Sequence, residues 1–290
     1  MKAFSNGGLA QRPPITLLLI ALAVAYGSCG RAADVTVNAS CNIYGAGHAP
    51  PNDAPSAGSN GGGIAPAEVA LADLGNPPAL ILYATGTISF CPACGNNGAD
   101  GTAAIGNNPG YNGISGITNC PGRSLRAVFT SDSEPTNPAP TPLNFAVIGI
   151  NYTALAPQLN QMFFIGNGLA EPSAAPQVIR VPVGATRLYL GFVDGNGYND
   201  TPDWYADNSG SMAVTVTTAL ALRIDFSTGQ PGISVYGETS STNRIEYATV
   251  LPTTNWTPLT NVVLNAVPTL WYDARFSGDS SRFYRAVSVP

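Results

Sequence analysis

The chain has 290 residues, 12 basic and 17 acidic for a formal net charge of −5, and only 10% are charged against 44% hydrophobic. That is apolar material for two modest cores, which excludes a solvated disordered polymer, and the absence of any Lys/Arg run excludes nucleic acid as a partner. With 32 Gly and 25 Pro, residues that break helices and populate turns, the composition favours many short strands.

In chain order, Lys2 and Arg12 precede an apolar run over 15–25 and then small residues, the pattern of a secretory signal over 1–32. Cleavage after Gly27 or after Ala32 fits equally. Cys29 lacks the aliphatic residue of a lipobox before it, since Tyr26-Gly27-Ser28 precedes it. No later stretch of about 18 apolar residues follows, so no membrane span is expected, and the protein reads as secreted, periplasmic or cell-surface. If Cys29 leaves with the signal, then Cys41, Cys91, Cys94 and Cys120 remain. An even number in an oxidising compartment suggests two disulfides, in any of three pairings. Cys91-Pro92-Ala93-Cys94 also has redox or half-zinc spacing. No second CxxC follows it and the single histidine is His48, so loop-stapling disulfides are expected.

Alternation predicts a strand over 34–43, followed by a Gly/Pro/Asn-rich surface loop over 45–66. A strand over 79–90 leads into a second Gly/Asn-rich segment, 91–122. Further strands are predicted over 124–130, 144–150, 161–165, 178–183, 187–193 and 211–218, with a helical turn near 154–161. The spacing indicates an all-β sandwich or jelly roll over 33–219. From 220 to 290 the pattern restarts more tightly, with strands over 221–226, 232–236, 244–248, 256–264, 269–272 and 282–289. That suits a smaller immunoglobulin- or fibronectin-like sandwich, in which Trp256 and Trp271 are expected in the core.

One stretch concentrates oxygen ligands: Asp194, Asn196, Asn199, Asp200, Asp203, Asp207 and Asn208 between two strong strand signals. Carboxylates so close repel one another unless a hard cation or hydration offsets them, and calcium takes six to eight oxygens, carbonyls included. An EF-hand is excluded, because its Gly and Glu positions are held by Asn199 and Tyr205. The same residues would also suit a plain Asx- and Gly-rich turn.

The run 181–194, with Leu188-Tyr-Leu-Gly-Phe-Val-Asp194, and the run 204–216, with Asp207-Asn-Ser-Gly210, resemble the C-terminal half of the calcium-dependent, galactose-binding bacterial lectins of the PA-IL type. They are closer still to larger jelly-roll domains of exported bacterial proteins, which segments 42–48 and 161–168 also resemble. The resemblance implies a galactose-binding-like jelly roll and a calcium held by the side chains of Asp200, Asp207 and Asn208 and by the backbone carbonyls of Trp204 and Tyr44. It implies a carbohydrate ligand, a galactose-type sugar or surface polysaccharide, contacted by Asp203, Trp204, Asp207 and Asn208. Trp204 stands where the lectins have threonine, Asp207 where they have asparagine, and the lectins' sugar-contacting His/Gln loop has no counterpart. The alternative is a structural cell-surface or matrix protein whose calcium site, if any, only rigidifies a loop. Catalysis is not expected: no nucleophile elbow accompanies His48, and carboxylates in number are not a glycosidase geometry.

Overall fold

The computed structural model describes residues 32–195, 201–226, 229–237, 240–251, 253, 255–266, 268–276 and 281–289. The signal reading, Cys29 and the expected calcium ligand Asp200 therefore lie outside the described residues. The chain is all-β, built of several mainly antiparallel sheets. No helix among the described residues is long and apolar enough to cross a membrane.

The first part runs through β1 (Ala32–Asn38), β2 (Ala67–Ala70), β3 (Ala79–Ser89), β4 (Ile105–Asn108), β5 (Ile117–Pro121), β6 (Arg126–Thr130) and β7 (Leu143–Asn144). It continues through β8 (Ala154–Leu155), β9 (Met162–Phe164), β10 (Leu169–Ala170), β11 (Ala175–Pro176), β12 (Val178–Arg180), β13 (Arg187–Gly191) and β14 (Ser209–Thr218). One sheet has the order β1-β14-β3-β12-β8 and the other β2-β13-β6-β9. Period-two side-chain alternation sends Met212, Val214 and Val216 of β14 to one face, and all three are buried. They join Leu82 and Ile88 of β3, and Phe129, Phe163, Leu188 and Leu190 of the second sheet, in one apolar core.

The expected strand over 144–150 is instead the end of β7 and a one-turn helix, Phe145–Ile148. The Asn144 side chain caps it by accepting from the Ala146 N–H at 3.0 Å, and Gly149 at φ 77° ends it. The helical turn expected near 154–161 is absent. Ala154 and Leu155 pair in parallel with β12, and Pro157 just beyond disfavours helical backbone before it. The Gly/Asn-rich segment contributes β4 and β5, which composition alone did not reveal. Buried Arg126 ties it down, its Nη1 donating to the buried Asn108 Oδ1 at 2.6 Å.

Of the two disulfides expected, the described residues hold one, Cys91–Cys94, closed within its own tight turn by Cys94 N–H donating to Cys91 O at 3.0 Å. Cys41 and Cys120 are free buried thiols, and burial pushes both thiol pKa values up. The near pair has closed on itself, leaving the distant pair as apolar core members.

The second part comprises β15 (Leu220–Asp225), β16 (Gly232–Gly237), β17 (Thr242–Ala248), β18 (Thr257–Val263), β19 (Thr269–Tyr272) and β20 (Phe283–Val289). Its two sheets, β15-β16-β19 and β18-β17-β20, enclose a separate core of Ile233, Val235, Ile245, Val262, Leu264 and Tyr284. Trp271 packs against that core, whereas Trp256 is half-buried beneath the Arg285 guanidinium, 4.6 Å from its ring centre. Tyr236 joins Ala79, Ile81, Ala175 and Val178 in a small cluster linking the two parts.

Glu246 is buried between Arg244 and Arg285, at 2.7 and 2.6 Å. Burial alone would raise its pKa, but the hydrogen bonds and charges of Arg285 and Arg244 outweigh this and hold it below the ordinary 4.5. A depressed folded pKa contributes stability that is complete above the unfolded value and lost as pH falls through the folded one. The thermal stability of the second part should therefore fall below about pH 4.5. The Glu246→Gln variant should be less stable at pH 7 and show a flatter acid limb; an unchanged limb would remove Glu246 as its source.

Candidate functional site

The buried run of β13 continues through Phe192 and Val193 to Asp194, whose residue exposure is only 4%. Residues 39–45 lie beside it: Phe192 N–H donates to Cys41 O at 2.8 Å and Ile43 N–H to Phe192 O at 3.2 Å. Asp203 N–H donates to Asp194 O at 3.2 Å, closing the base of the acidic loop, and Asn208 follows immediately before β14.

Tyr205 anchors this corner from inside. Its hydroxyl, on a fully buried ring, accepts from the Asp194 N–H at 3.0 Å and lies 3.0 Å from Phe192 O and 3.2 Å from Asn42 Oδ1. Asn42 is itself buried, and its Nδ2 donates to Pro55 O at 2.7 Å and Gly62 O at 2.8 Å. Gly63 makes the crossing possible: at φ 78°, a Cβ there would sit 2.2 Å from Ser40 O and 2.8 Å from Tyr205 Cβ.

Two oxygens in this corner, Asp194 Oδ2 and Asn208 Oδ1, are buried without a hydrogen-bond donor. Asn208 Nδ2 donates to Ala39 O at 3.1 Å, which fixes the amide with its oxygen unmatched. Burial pushes the Asp194 carboxyl up to about 7. The neighbouring Asp207 charge adds to that, while the Asn208 amide, the Gly195 N–H and Arg123 oppose it. Orphaned buried acceptors are uncommon because each forgoes its hydration without return.

The residues singled out from sequence fall in four groups. Asp207 and Asn208 stand at this corner with Asp194, Asp207 being exposed. Trp204 is 43% exposed on the same loop. Asp203 faces the other way: one oxygen accepts from Ser56 Oγ at 2.8 Å and Asn60 N–H at 2.9 Å, the other from Asn60 Nδ2 at 2.7 Å. Burial raises its pKa, but these bonds and the Gly58 N–H outweigh that and hold it below the carboxylate range. Gly58 leaves room for the carboxylate, because a Cβ there would lie 2.3 Å from Asp203 Oδ2. The Tyr44 carbonyl accepts from Asn112 Nδ2 at 3.1 Å.

Asp194, Asn42 and Tyr205 are the members of this corner missing from the ligand set drawn from sequence. The signal for Asp194 was its place directly after an unbroken buried run, which carries a carboxylate inward. Comparison with protein-family models, curated proteins and solved structures finds no match to the chain.

Proposed function

We propose that this chain is an exported calcium-binding, carbohydrate-binding protein, lectin-like in its first part, which we read as a jelly roll followed by an immunoglobulin-like sandwich. The observation that carries the reading is the pair of donor-less buried oxygens, Asp194 Oδ2 and Asn208 Oδ1, beside the charge of Asp207. A hard cation that prefers carboxylate and carbonyl oxygens satisfies such a set, whereas another carboxylate or an apolar group does not. In this reading Asp194 takes a place beside Asp207 and Asn208, with Asp200 and the Trp204 carbonyl completing the shell that the resemblance implies, and the Tyr44 carbonyl, which already accepts from Asn112, contributing only its second lone pair. The exposed Trp204 ring offers a flat face on which a sugar ring stacks.

The second reading, a calcium site that only rigidifies the loop, is favoured by one observation. Asp203 is already occupied by Ser56 and Asn60 and is removed from any set of sugar contacts. Melting temperatures in EDTA and in calcium, each with and without galactose, separate the readings, because only ligands that prefer the folded state raise stability. Calcium at 100 times its Kd should add about 2.7 kcal/mol, and Asn208→Ala should abolish that gain. A gain enlarged by galactose supports the lectin reading, a gain indifferent to galactose supports the structural one, and no gain overturns the calcium site.

A further inference from the structure

A separate cleft of about 560 Å³ opens between residues 51–56 and the hairpin at 110–112, with Asn137 at its rim. Its walls are fixed from behind. On one side, Pro55 O accepts from Asn42 Nδ2 at 2.7 Å and Ser56 Oγ donates to Asp203 at 2.8 Å. On the other, Asn112 Nδ2 donates to Tyr44 O and Asn52 O at 3.1 and 3.2 Å, and Asn112 O accepts from His48 Nε2 at 2.8 Å. A carbonyl only accepts, so His48 carries its proton on Nε2, while its Nδ1 faces Glu134 Oε2 at 3.8 Å. The Tyr111 ring stands edge-on against Tyr44, with centroids 6.0 Å apart. The single histidine is thus part of the scaffold behind the cleft.

The lining bears no carboxylate, ammonium or guanidinium group. Among the described residues, the side-chain amides of Asn52 and Asn137 make no hydrogen bond within the chain, and the Asn112 amide nitrogen is committed to Tyr44 O and Asn52 O. Amides pair a donor with an acceptor at the spacing of neighbouring hydroxyls. A neutral, amide-lined recess with one half-buried tyrosine discriminates against anions, for want of a cation. It discriminates against apolar ligands, for want of apolar wall. The volume lies within the range of sites that enclose small molecules, and the pinned walls reduce the ordering cost of binding.

From this lining we infer that the cleft is a second binding site, for a neutral hydroxyl-rich ligand of oligosaccharide type, and that it works without calcium. It needs no metal because its polar groups are already placed by protein hydrogen bonds, and it does not rest on the acidic loop being a calcium site. The test is binding of the full chain to an array of neutral glucose-, galactose-, mannose- and xylose-terminated di- to tetrasaccharides, in EDTA and in calcium. The proteins compared are the wild type, the Asn52→Ala/Asn137→Ala double variant and Asn208→Ala. Both replaced amides are exposed and unbonded, so the double variant should melt as the wild type does. The expected result is glycan binding that persists in EDTA and in Asn208→Ala and weakens about tenfold or more in the double variant, for two lost hydrogen-bonding groups. Binding that vanishes in EDTA, or that the double variant leaves intact, overturns the cleft assignment whatever becomes of the calcium site. Calcium-dependent binding alone would leave the acidic loop as the sugar site, and calcium-independent binding alone would leave the cleft.

Discussion

Replacing Asp273 by alanine is expected to destabilise the second part of the chain by about 3–5 kcal/mol. Asp273 is fully buried, accepts from Arg282 Nη1 at 2.6 Å, from Tyr284 OH at 2.9 Å and from Arg275 N–H at 3.0 Å, and its own N–H donates to Pro231 O at 2.9 Å. Arg282 has a side chain only 6% exposed and lies over the Tyr247 ring, 4.1 Å from its centre, so truncating the carboxylate takes a counter-charge at 2.6 Å away from a buried cation. That desolvation cost dominates the loss, not the worth of the ion pair itself. A small sandwich has a few kcal/mol of stability in total, so Asp273→Ala should unfold it at ordinary temperature. Trp256 and Trp271, both in this part, provide the fluorescence readout in a urea titration when Trp204 of the first part is replaced by phenylalanine. Adding Arg282→Met to Asp273→Ala should recover part of the loss by removing the buried charge that the carboxylate balanced. A cost below about 1 kcal/mol for Asp273→Ala, in the range of an exposed pair, would show the carboxylate to be dispensable.

Tyr205→Phe is the second substitution with a large expected effect, about 1–3 kcal/mol on the first part. One hydroxyl on a fully buried ring satisfies the Asp194 N–H and stands within reach of Phe192 O and Asn42 Oδ1. Phenylalanine fills the same volume, so packing is kept and the loss isolates polar groups left without a partner. Burial drives the Tyr205 pKa far above its ordinary range, so the hydroxyl stays neutral at any working pH and the loss should not vary with pH through phenol ionisation. Tyr111→Phe is the control: its hydroxyl lies 3.5 Å from Ser56 O at a partly exposed site, and its removal should cost under about 0.5 kcal/mol. Equal effects from the two variants in chemical denaturation would refute the anchoring role of Tyr205.

The all-β class and most strands were legible because their signal is the burial pattern itself. The alternation of Met212, Val214 and Val216, and the apolar runs 79–84 of β3 and 127–129 of β6, leave little freedom. The tighter strand spacing after 220 likewise matched β15 to β20 closely. What remained hidden rests on polar side chains whose partners are distant in sequence. β4 and β5 are held through Arg126 and Asn108, and a Gly/Asn-rich run shows no apolar period to announce them. The one-turn helix after Asn144 depends on a single cap, which a strand-like run of apolar residues masks.

At the acidic loop, composition located the right segment but could not sort its carboxylates. Asp194 and Asp203 look alike in sequence, yet one is carried inward by a buried strand and left unmatched, while the other is claimed by Ser56 and Asn60 more than 140 positions earlier. Likewise, four cysteines in sequence carry no record of which pair meets, and the short-range Cys91–Cys94 closure removed both from any longer bridge.

The free thiols of Cys41 and Cys120 give the molecule a built-in chemical clock. Both are shielded from reagent in the first core and both have raised pKa values, and the chain has no cysteine after position 120. In a chain without Cys29, a thiol-modifying probe under non-reducing conditions therefore reads opening events of the first core, while tryptophans 256 and 271 respond to melting of the second and Trp204 emits from the first. Thiol labelling thus addresses the first core, and tryptophan emission in a Trp204→Phe background addresses the second.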